Sequence, residues 1–514
     1  MGLYPFLCAA VIFLCSVTSS FGESTALYLK AAELEEAGKY EEAAQIVSGI
    51  IKTEKSPHLY NRLTELYILS GNEEKAAAVL LEAEKVFPQD PNFKFTLGQL
   101  YELTQQDFHK AYEYYSAAAK LSSEHRYRIA AARAAESLDK HGEAIDIIND
   151  LISEKPLSLY YSDRGKVYQS MGKIDKAVAD FKKAIEIDEN MPAMLRLADI
   201  YLAENNLEEA KVLLEKITAK NDGLIIPELT LGEIYREEKD YAKAIELYSR
   251  AADRLQGKDR AAVLKQMATL QYETGDYDNA SVTFEWVTEL VPEDSMSAYF
   301  SGYIYEYLGK TAKAKEVYEK ALKVHPDYAE LLKRMAVISL SEDNLDEAEK
   351  YIGKINQVER DVDYYVILSE VYSRRGDHNK AALVLIEGLE ENPTHSEILY
   401  SLAMQYEYLN ERDKTIATVK KALSAEPDNA VFQNFLGYVY ADMGINLEEA
   451  HSLISKALEQ DPENPAYIDS MAWVLFRMKD YSNAYKYIKK AAAAAPEDPE
   501  ISGHLKAIKE KVGE

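Results

Sequence analysis

A spacing of 33 to 36 residues, kept over almost the whole of a 514-residue chain, constrains this sequence more than any other feature. It sets a small residue at Ala43, Ala76, Ala111, Ala144, Ala177, Ala210, Ala244, Ala280, Ala314, Ala348, Ala381, Thr415, Ala450 and Ala484. Twelve positions earlier, or thirteen in two cases, stands another: Ala31, Thr64, Gly98, Ala132, Gly165, Ala198, Gly232, Ala268, Gly302, Ala336, Ser369, Ala403, Gly437 and Ala472. Two helices that cross closely need a site without bulk, and overfilling such a contact costs about 1–3 kcal/mol. Paired small residues at a fixed period therefore predict a series of close helix crossings, one per unit.

The stretch Ser295–Tyr328 shows one unit in full. Its first helix carries Gly302 and Tyr305, and its second sets Ala314, Tyr318 and Ala321 on one face at helical spacing. Gly309 breaks the chain between them and Pro326 ends the second helix. Three residues after the small site of the first helix come Tyr67, Tyr101, Tyr168, Tyr201, Tyr235, Tyr305, Tyr372, Tyr406 and Tyr440, so much of the high tyrosine count is expected in the core. Pro88, Pro156, Pro292, Pro326, Pro393, Pro427, Pro462 and Pro496 punctuate the unit ends.

These residues resemble the tetratricopeptide repeat, a 34-residue helix pair with small, aromatic and proline positions in this order. The resemblance covers residues 23–498 in fourteen repeats near 24–56, 57–90, 91–124, 125–157, 158–190, 191–224, 225–260, 261–294, 295–328, 329–361, 362–395, 396–429, 430–464 and 465–498. It implies an all-α chain wound as a right-handed α-solenoid, with a concave face lined mainly by the first helix of each pair. Residues 499–514, with Ile501, Leu505, Ile508 and Val512 on one stripe, are expected to form a C-terminal capping helix. Together with repeat 14, this end resembles that of many exported or envelope-associated bacterial members of the family.

The array has irregular places. Repeat 4 has Ala135 for the aromatic and Asp139 where glycine is common, and repeat 12 has Thr415 for alanine. Repeats 3 and 13 carry an extra residue between their helices, and the 36-residue step around Gln256–Arg260 is the place for a local change of pitch. No domain boundary is expected there, because the period resumes on both sides.

Residues 1–22 hold no charged side chain, and the apolar run Phe6–Val17 is short of membrane-spanning length. They read as a secretory signal cut before Glu23, with Ser20 and Gly22 as the small residues; the alternative is an uncleaved N-terminal anchor. Cys8 and Cys15 both lie in this segment, each preceded by leucine, a poor match to a lipidation signal. The chain after the cut would then have no cysteine and form no disulfide, and export to a bacterial periplasm is expected. A formal net charge of −28 argues against nucleic acid as partner and against docking on an anionic membrane surface.

No motif for catalysis, a metal or a cofactor is found. The nine histidines are dispersed without ligand spacing, and neither HExxH, a glycine-rich phosphate loop nor a nucleophile elbow occurs. The paired carboxylates Glu41 and Glu42, or Glu448 and Glu449, open second helices where the helix dipole favours them, and Arg374 and Arg375 sit at a helix C-terminus. The lysine and asparagine pattern of family members that clamp a terminal carboxylate is missing, as is the asparagine ladder of their sugar-transferase relatives.

The resemblance places repeat positions 5, 9, 12 and often 13 in the groove. Towards the N-terminus these are polar, as Asn61, Glu65, Arg133, Glu136 and Lys166. Towards the C-terminus they become aromatic or soft: Tyr299, Tyr303 and Tyr307 in repeat 9, Tyr400, Met404 and Tyr408 in repeat 12, Tyr438 in repeat 13, and Trp473 and Phe476 in repeat 14. These nine are the candidate partner-binding residues, with Arg477 and Asp469 nearby to set the polarity of a bound chain. The expected function is a non-catalytic scaffold for a protein or peptide, in assembly or export at the bacterial cell envelope. The alternative is an envelope component of polysaccharide or lipid export, its aromatic rows stacking on sugar rings. Thermal melts separate framework from groove: Gly302→Leu is expected to lower stability by about 1–3 kcal/mol through overpacking, and Tyr303→Ala to leave it nearly unchanged.

Overall fold

The computed structural model describes residues 21–103, 106–220, 223–355 and 359–513. Most of the candidate secretory segment, with both cysteines, lies outside the described residues. Among the described residues there are 29 helices and no strand, so the architecture is all-α. Twenty-eight of them form fourteen successive pairs, from Phe21–Glu36 with Tyr40–Ile51 to Pro465–Arg477 with Tyr481–Ala494, and Pro499–Val512 follows alone. No helix among them is long and apolar enough to cross a membrane.

The chain divides into two compact units, the first ending at Ile234 and the second beginning at Tyr235. Within each, helices pack in solenoid order, on the helix before and the helix after. First helices of adjacent repeats also touch, His125–Ser137 on Ser158–Ser170 in the first unit and Ala430–Met443 on Pro465–Arg477 in the second.

Small residues make these crossings. All fourteen second-helix sites, from Ala43 to Ala484 and including Thr415, are fully buried. The Thr415 hydroxyl finds its acceptor inside its own helix, 3.3 Å from the Glu411 carbonyl oxygen, which removes the cost of burying it. The residue four positions after the small site completes each crossing. Where the first helix offers glycine, a larger side chain fills the gap: a Cβ added at Gly98 would lie 2.6 Å from Tyr115, at Gly165 2.8 Å from Phe181, at Gly302 2.1 Å from Tyr318 and at Gly437 2.6 Å from Ile454. Where it offers alanine, the filler is mostly aliphatic, as Ile148 against Ala132, Ile352 against Ala336 and Ile488 against Ala472. Three of the glycine sites thus take a ring where alanine sites mostly take an aliphatic side chain, while Gly437 with Ile454 and Ala268 with Phe284 depart from that division.

Every turn between the two helices of a repeat contains a left-handed residue, with φ from +46° at Asn446 to +81° at Gly275. In repeat 9 the Gly309 amide donates to the Glu306 carbonyl (2.9 Å) and the Lys310 amide to that of Tyr305 (2.7 Å), closing the helix in a Schellman arrangement. Asp or Asn then caps many second helices, as Asn72, Asp276, Asn344 and Asp480 do. A lysine just before the small alanine lies over the first-helix tyrosine: Lys110 over Tyr101 at 4.8 Å, Lys313 over Tyr305 at 5.3 Å, Lys380 over Tyr372 at 5.4 Å. Each such contact is worth about 0.5–1 kcal/mol at an exposed site.

The irregular places are absorbed locally. The long step lengthens the first helix of repeat 8, Gly257–Glu273, to 17 residues against 13 in Ser295–Tyr307. In repeat 13 the extra residue produces a turn with two left-handed residues, Gly444 and Asn446. Asp139 takes the left-handed site of repeat 4 at φ +56°, and Ala135 is fully buried. Lys239 and Lys479 hold this conformation without glycine's freedom or the local hydrogen bonding of Asp and Asn. Lys479→Gly is therefore expected to stabilise the second unit by about 1 kcal/mol, read as a higher urea midpoint at unchanged slope; an unchanged or lower midpoint contradicts the strain.

Candidate partner-binding site

The first helices of repeats 12, 13 and 14, Ser396–Tyr408, Ala430–Met443 and Pro465–Arg477, line up side by side near the end of the second unit. Residues one helical turn apart on Ser396–Tyr408 face the same way, so Tyr400, Met404 and Tyr408 form one wall. Phe435 and Tyr438 continue it on the next helix and Tyr467 on the third. The start of the last helix, at Asp498, Glu500 and Ile501, closes the end. The recess they form is open to solvent and measures about 740 Å³, within the range that takes a ligand or a few side chains.

Its aromatic groups are held by one another. Tyr400 packs 5.2 Å from Phe432 and edge-on to Phe435 at 5.5 Å, and burial pushes its hydroxyl pKa up. Tyr438 donates its hydroxyl hydrogen to Glu500, and burial followed by that bond raises its pKa. Tyr408 is 62% exposed and stacks on His378 with centroids 4.5 Å apart.

Polar groups at the cavity are less complete. Asp469 is only 4% exposed; its Oδ2 lies 2.8 Å from Nδ1 of His504, while its Oδ1 is buried without a hydrogen-bond partner. Two other lining residues leave a buried acceptor unmet, Oε2 of Glu407 and Oδ1 of Asn434. The other Glu407 oxygen is taken by Arg412, and burial raises the Glu407 pKa against the opposing effect of that arginine. A buried acceptor without a donor costs about 1–3 kcal/mol, and such atoms also occur away from this cavity, as at Gln271 and Glu411.

Of the nine candidate residues, the fold brings Tyr400, Met404, Tyr408 and Tyr438 together here. Trp473 and Phe476 lie elsewhere. Trp473 is sandwiched between Phe476 at 5.0 Å and His504 of the last helix at 4.0 Å, both rings nearly parallel to it, and Phe476 also meets Tyr481. Arg477 is committed too, donating at 2.6 Å to the Asp442 carbonyl oxygen of the preceding repeat, as Arg374 does to that of Leu340. Arg375 pairs with Asp346 and Glu349.

The tyrosines of repeat 9 form a separate surface cluster. Tyr299 stacks on Tyr303 at 6.0 Å, and the Arg334 guanidinium lies 5.4 Å from the Tyr303 ring. Tyr303 and Tyr307, 39% and 70% exposed, border a cleft of about 130 Å³ with Tyr272 and Tyr277. In the first unit three of the polar groove positions are paired between repeats, Arg133 with Asp163 at 2.9 Å and Lys166 with Glu136 at 3.3 Å, while Glu65 pairs with Arg62 of its own helix. Among the described residues no cluster of His, Cys, Asp and Glu could hold a metal ion.

Sequence reasoning passed over Glu407, Asn434, Tyr467, Glu500 and His504. A signal existed for two of them, since Glu407 and Asn434 occupy repeat positions 12 and 5, as Asp469 occupies position 5 of its own repeat. The last helix gave none, because a stripe of apolar residues says nothing of which side chains it lays over a neighbour. In a Trp286→Phe background, His504→Ala is expected to uncover Trp473, shifting its emission to the red and raising quenching by acrylamide; an unchanged spectrum contradicts the stacking.

The repeats have known relatives. Tetratricopeptide repeat family models match residues 224–293, and 168–223 with 307–369. The TPR repeat-containing protein PA4667 of Pseudomonas aeruginosa is 31% identical over 41% of this chain and 36% of its own length. The TPR repeat-containing protein YpiA of Bacillus subtilis is 26% identical over 48% of this chain and 66% of its own. The chain thus spans about one third to two thirds of the length of these curated relatives. The crystal structure of the APC/C hetero-tetramer Cut9-Hcn1 is 14% identical, covering 94% of this chain and 96% of that one with a TM-score of 0.40. The chain therefore carries tetratricopeptide repeats across the matched residues between 168 and 369, and the helix pairs on either side repeat the same buried small sites.

Proposed function

We propose that this chain is a non-catalytic scaffold, exported to a bacterial periplasm, that grips a protein or peptide partner in the cavity of repeats 12 to 14 during assembly or export at the cell envelope. Tetratricopeptide-repeat proteins generally bind protein partners. The observation that carries the reading here is the cavity itself, about 740 Å³ walled by aromatic side chains from three consecutive first helices. Aromatic anchors in a preformed recess supply most of the affinity in such interfaces, because they bury large area at little entropic cost. The tyrosine cluster of repeat 9 is a second contact for a long partner. Export is supported by the uncharged, apolar opening residues and by the restriction of cysteine to them.

Affinity capture from envelope extract tests this with the full chain, a Tyr400→Ala/Tyr438→Ala variant and a Tyr303→Ala variant. The double variant is expected to lose proteins that the unaltered chain retains, with Tyr303→Ala weakening capture less. Recovery of the same proteins by all three overturns the cavity as the site, and recovery of glycans alone favours the polysaccharide-export reading. Cell fractionation that leaves the full-length chain in the cytoplasm overturns the export part.

A further inference from the structure

Seven repeats of this chain treat their first-helix tyrosine alike. A lysine of the following helix lies over the ring, from Lys243 over Tyr235 at 4.6 Å to Lys75 over Tyr67 and Lys176 over Tyr168 at 5.5 Å, and Tyr101, Tyr305, Tyr372 and Tyr406 are covered in the same way. Repeat 8 lacks both partners: Gln271 stands at the tyrosine position and Asn279 at the lysine position. Its tyrosine is displaced by one residue to Tyr272, which is 39% exposed and borders the cleft with Tyr277, Tyr303, Ile304 and Tyr307. Among the described residues, Arg334 over Tyr303 is the only cation placed on a ring of this cleft. Tyr272 and Tyr277 meet at 61° with centroids 5.5 Å apart, and Tyr277 and Tyr307 at 68° and 5.0 Å, so the rings make two corners above the buried Ile304.

The charge around these rings leans negative. Helix Gly257–Glu273 ends beside Tyr272 and helix Ser295–Tyr307 ends at Tyr307 itself, so the cleft lies at two helix C-termini, where the dipole favours a cation. The turn that joins Tyr272 to Tyr277 carries Glu273 and Asp276, and among the described residues neither is paired with a lysine or arginine. Asp276 caps the helix that starts at Tyr277 and so offsets its positive end, while Lys310 is committed to Asp278. An anion is repelled here, and a neutral apolar side chain leaves the charge unanswered. Arginine carries a plane that lies flat on one face, whereas the lysine ammonium is compact, sits at the tip of a flexible stem and fits a corner where it meets more than one ring. It is also the group that the chain's own tyrosines take in seven other repeats.

We propose that the tyrosine cleft of repeats 8 and 9 receives a lysine ammonium of the partner, seated against Tyr272, Tyr277 and Tyr307 in place of the lysine that repeat 8 lacks. This rests on the reading of the repeat 9 tyrosines as a second partner contact and names the side chain recognised there.

The test uses the full chain at about 150 mM salt, where attraction to the acidic surface at large is screened. Three probes are titrated and followed by saturation-transfer NMR: the Nα-acetyl methylamides of lysine, norleucine and arginine. The lysine probe is expected to receive saturation at its δ and ε methylenes and to bind about fivefold tighter than norleucine, which keeps the chain and lacks the charge, with arginine in between. A Tyr272→Leu/Tyr307→Leu variant is expected to bring lysine down to the level of norleucine. A Tyr272→Phe/Tyr307→Phe variant keeps both ring faces and is expected to retain the preference, and thermal melts of both variants separate lost binding from lost folding. Norleucine binding as well as lysine, a lysine preference unchanged in the leucine variant or lost in the phenylalanine variant, or no transfer to any probe overturns this inference. None of these outcomes involves the cavity of repeats 12 to 14, so the scaffold reading stands or falls separately, by capture with the Tyr400→Ala/Tyr438→Ala variant.

Discussion

The close crossing of two helices at a small residue is the contact on which the rest of this structure depends. Glycine or alanine on the first helix and the buried alanine on the second let the backbones approach, and one larger side chain then fills the space left over. Because interiors are packed like crystals, that filler cannot vary alone. Tyr318 needs Gly302, and Ile352 suits Ala336. The same contact repeated along the chain sets each pair against the next, so that first helices of neighbouring repeats present their outer residues side by side.

That regularity leaves the groove positions outside the crossing itself, and the two ends of the chain use them differently. In the first unit, Arg133, Asp163, Glu136 and Lys166 consume one another in ion pairs between repeats, which leaves the polar face electrostatically satisfied. In the second unit, the face around repeats 12 to 14 carries large rings and acceptors without donors.

The last helix has two tasks. It covers the apolar end of repeat 14, as a solenoid cap must, burying Ile501 and Ile508. It also builds the cavity: Glu500 fixes the Tyr438 hydroxyl, and His504 orients Asp469 while stacking on Trp473. Trp473, the most conspicuous aromatic of repeat 14, is thereby spent on holding the cap, while the less conspicuous Asp469 beside it lines the cavity.

The sequence alone determined the helix pairs, the crossings and the turns, because each rests on residues near in the chain: a small site and its filler sixteen or seventeen positions apart, a left-handed turn residue, a capping Asp or Asn. It also marked which positions the framework does not require, and so made Tyr400, Met404, Tyr408 and Tyr438 legible as a set. Only the tertiary structure decided which exposed rings meet and which are covered. Tyr438 and Glu500 are 62 positions apart, Asp469 and His504 35, and their pairing depends on how the last helix lies across repeat 14. Periodicity fixes that a helix caps the stack, but the choice of side chains it lays over a neighbour is made by packing between distant residues, which no local pattern encodes.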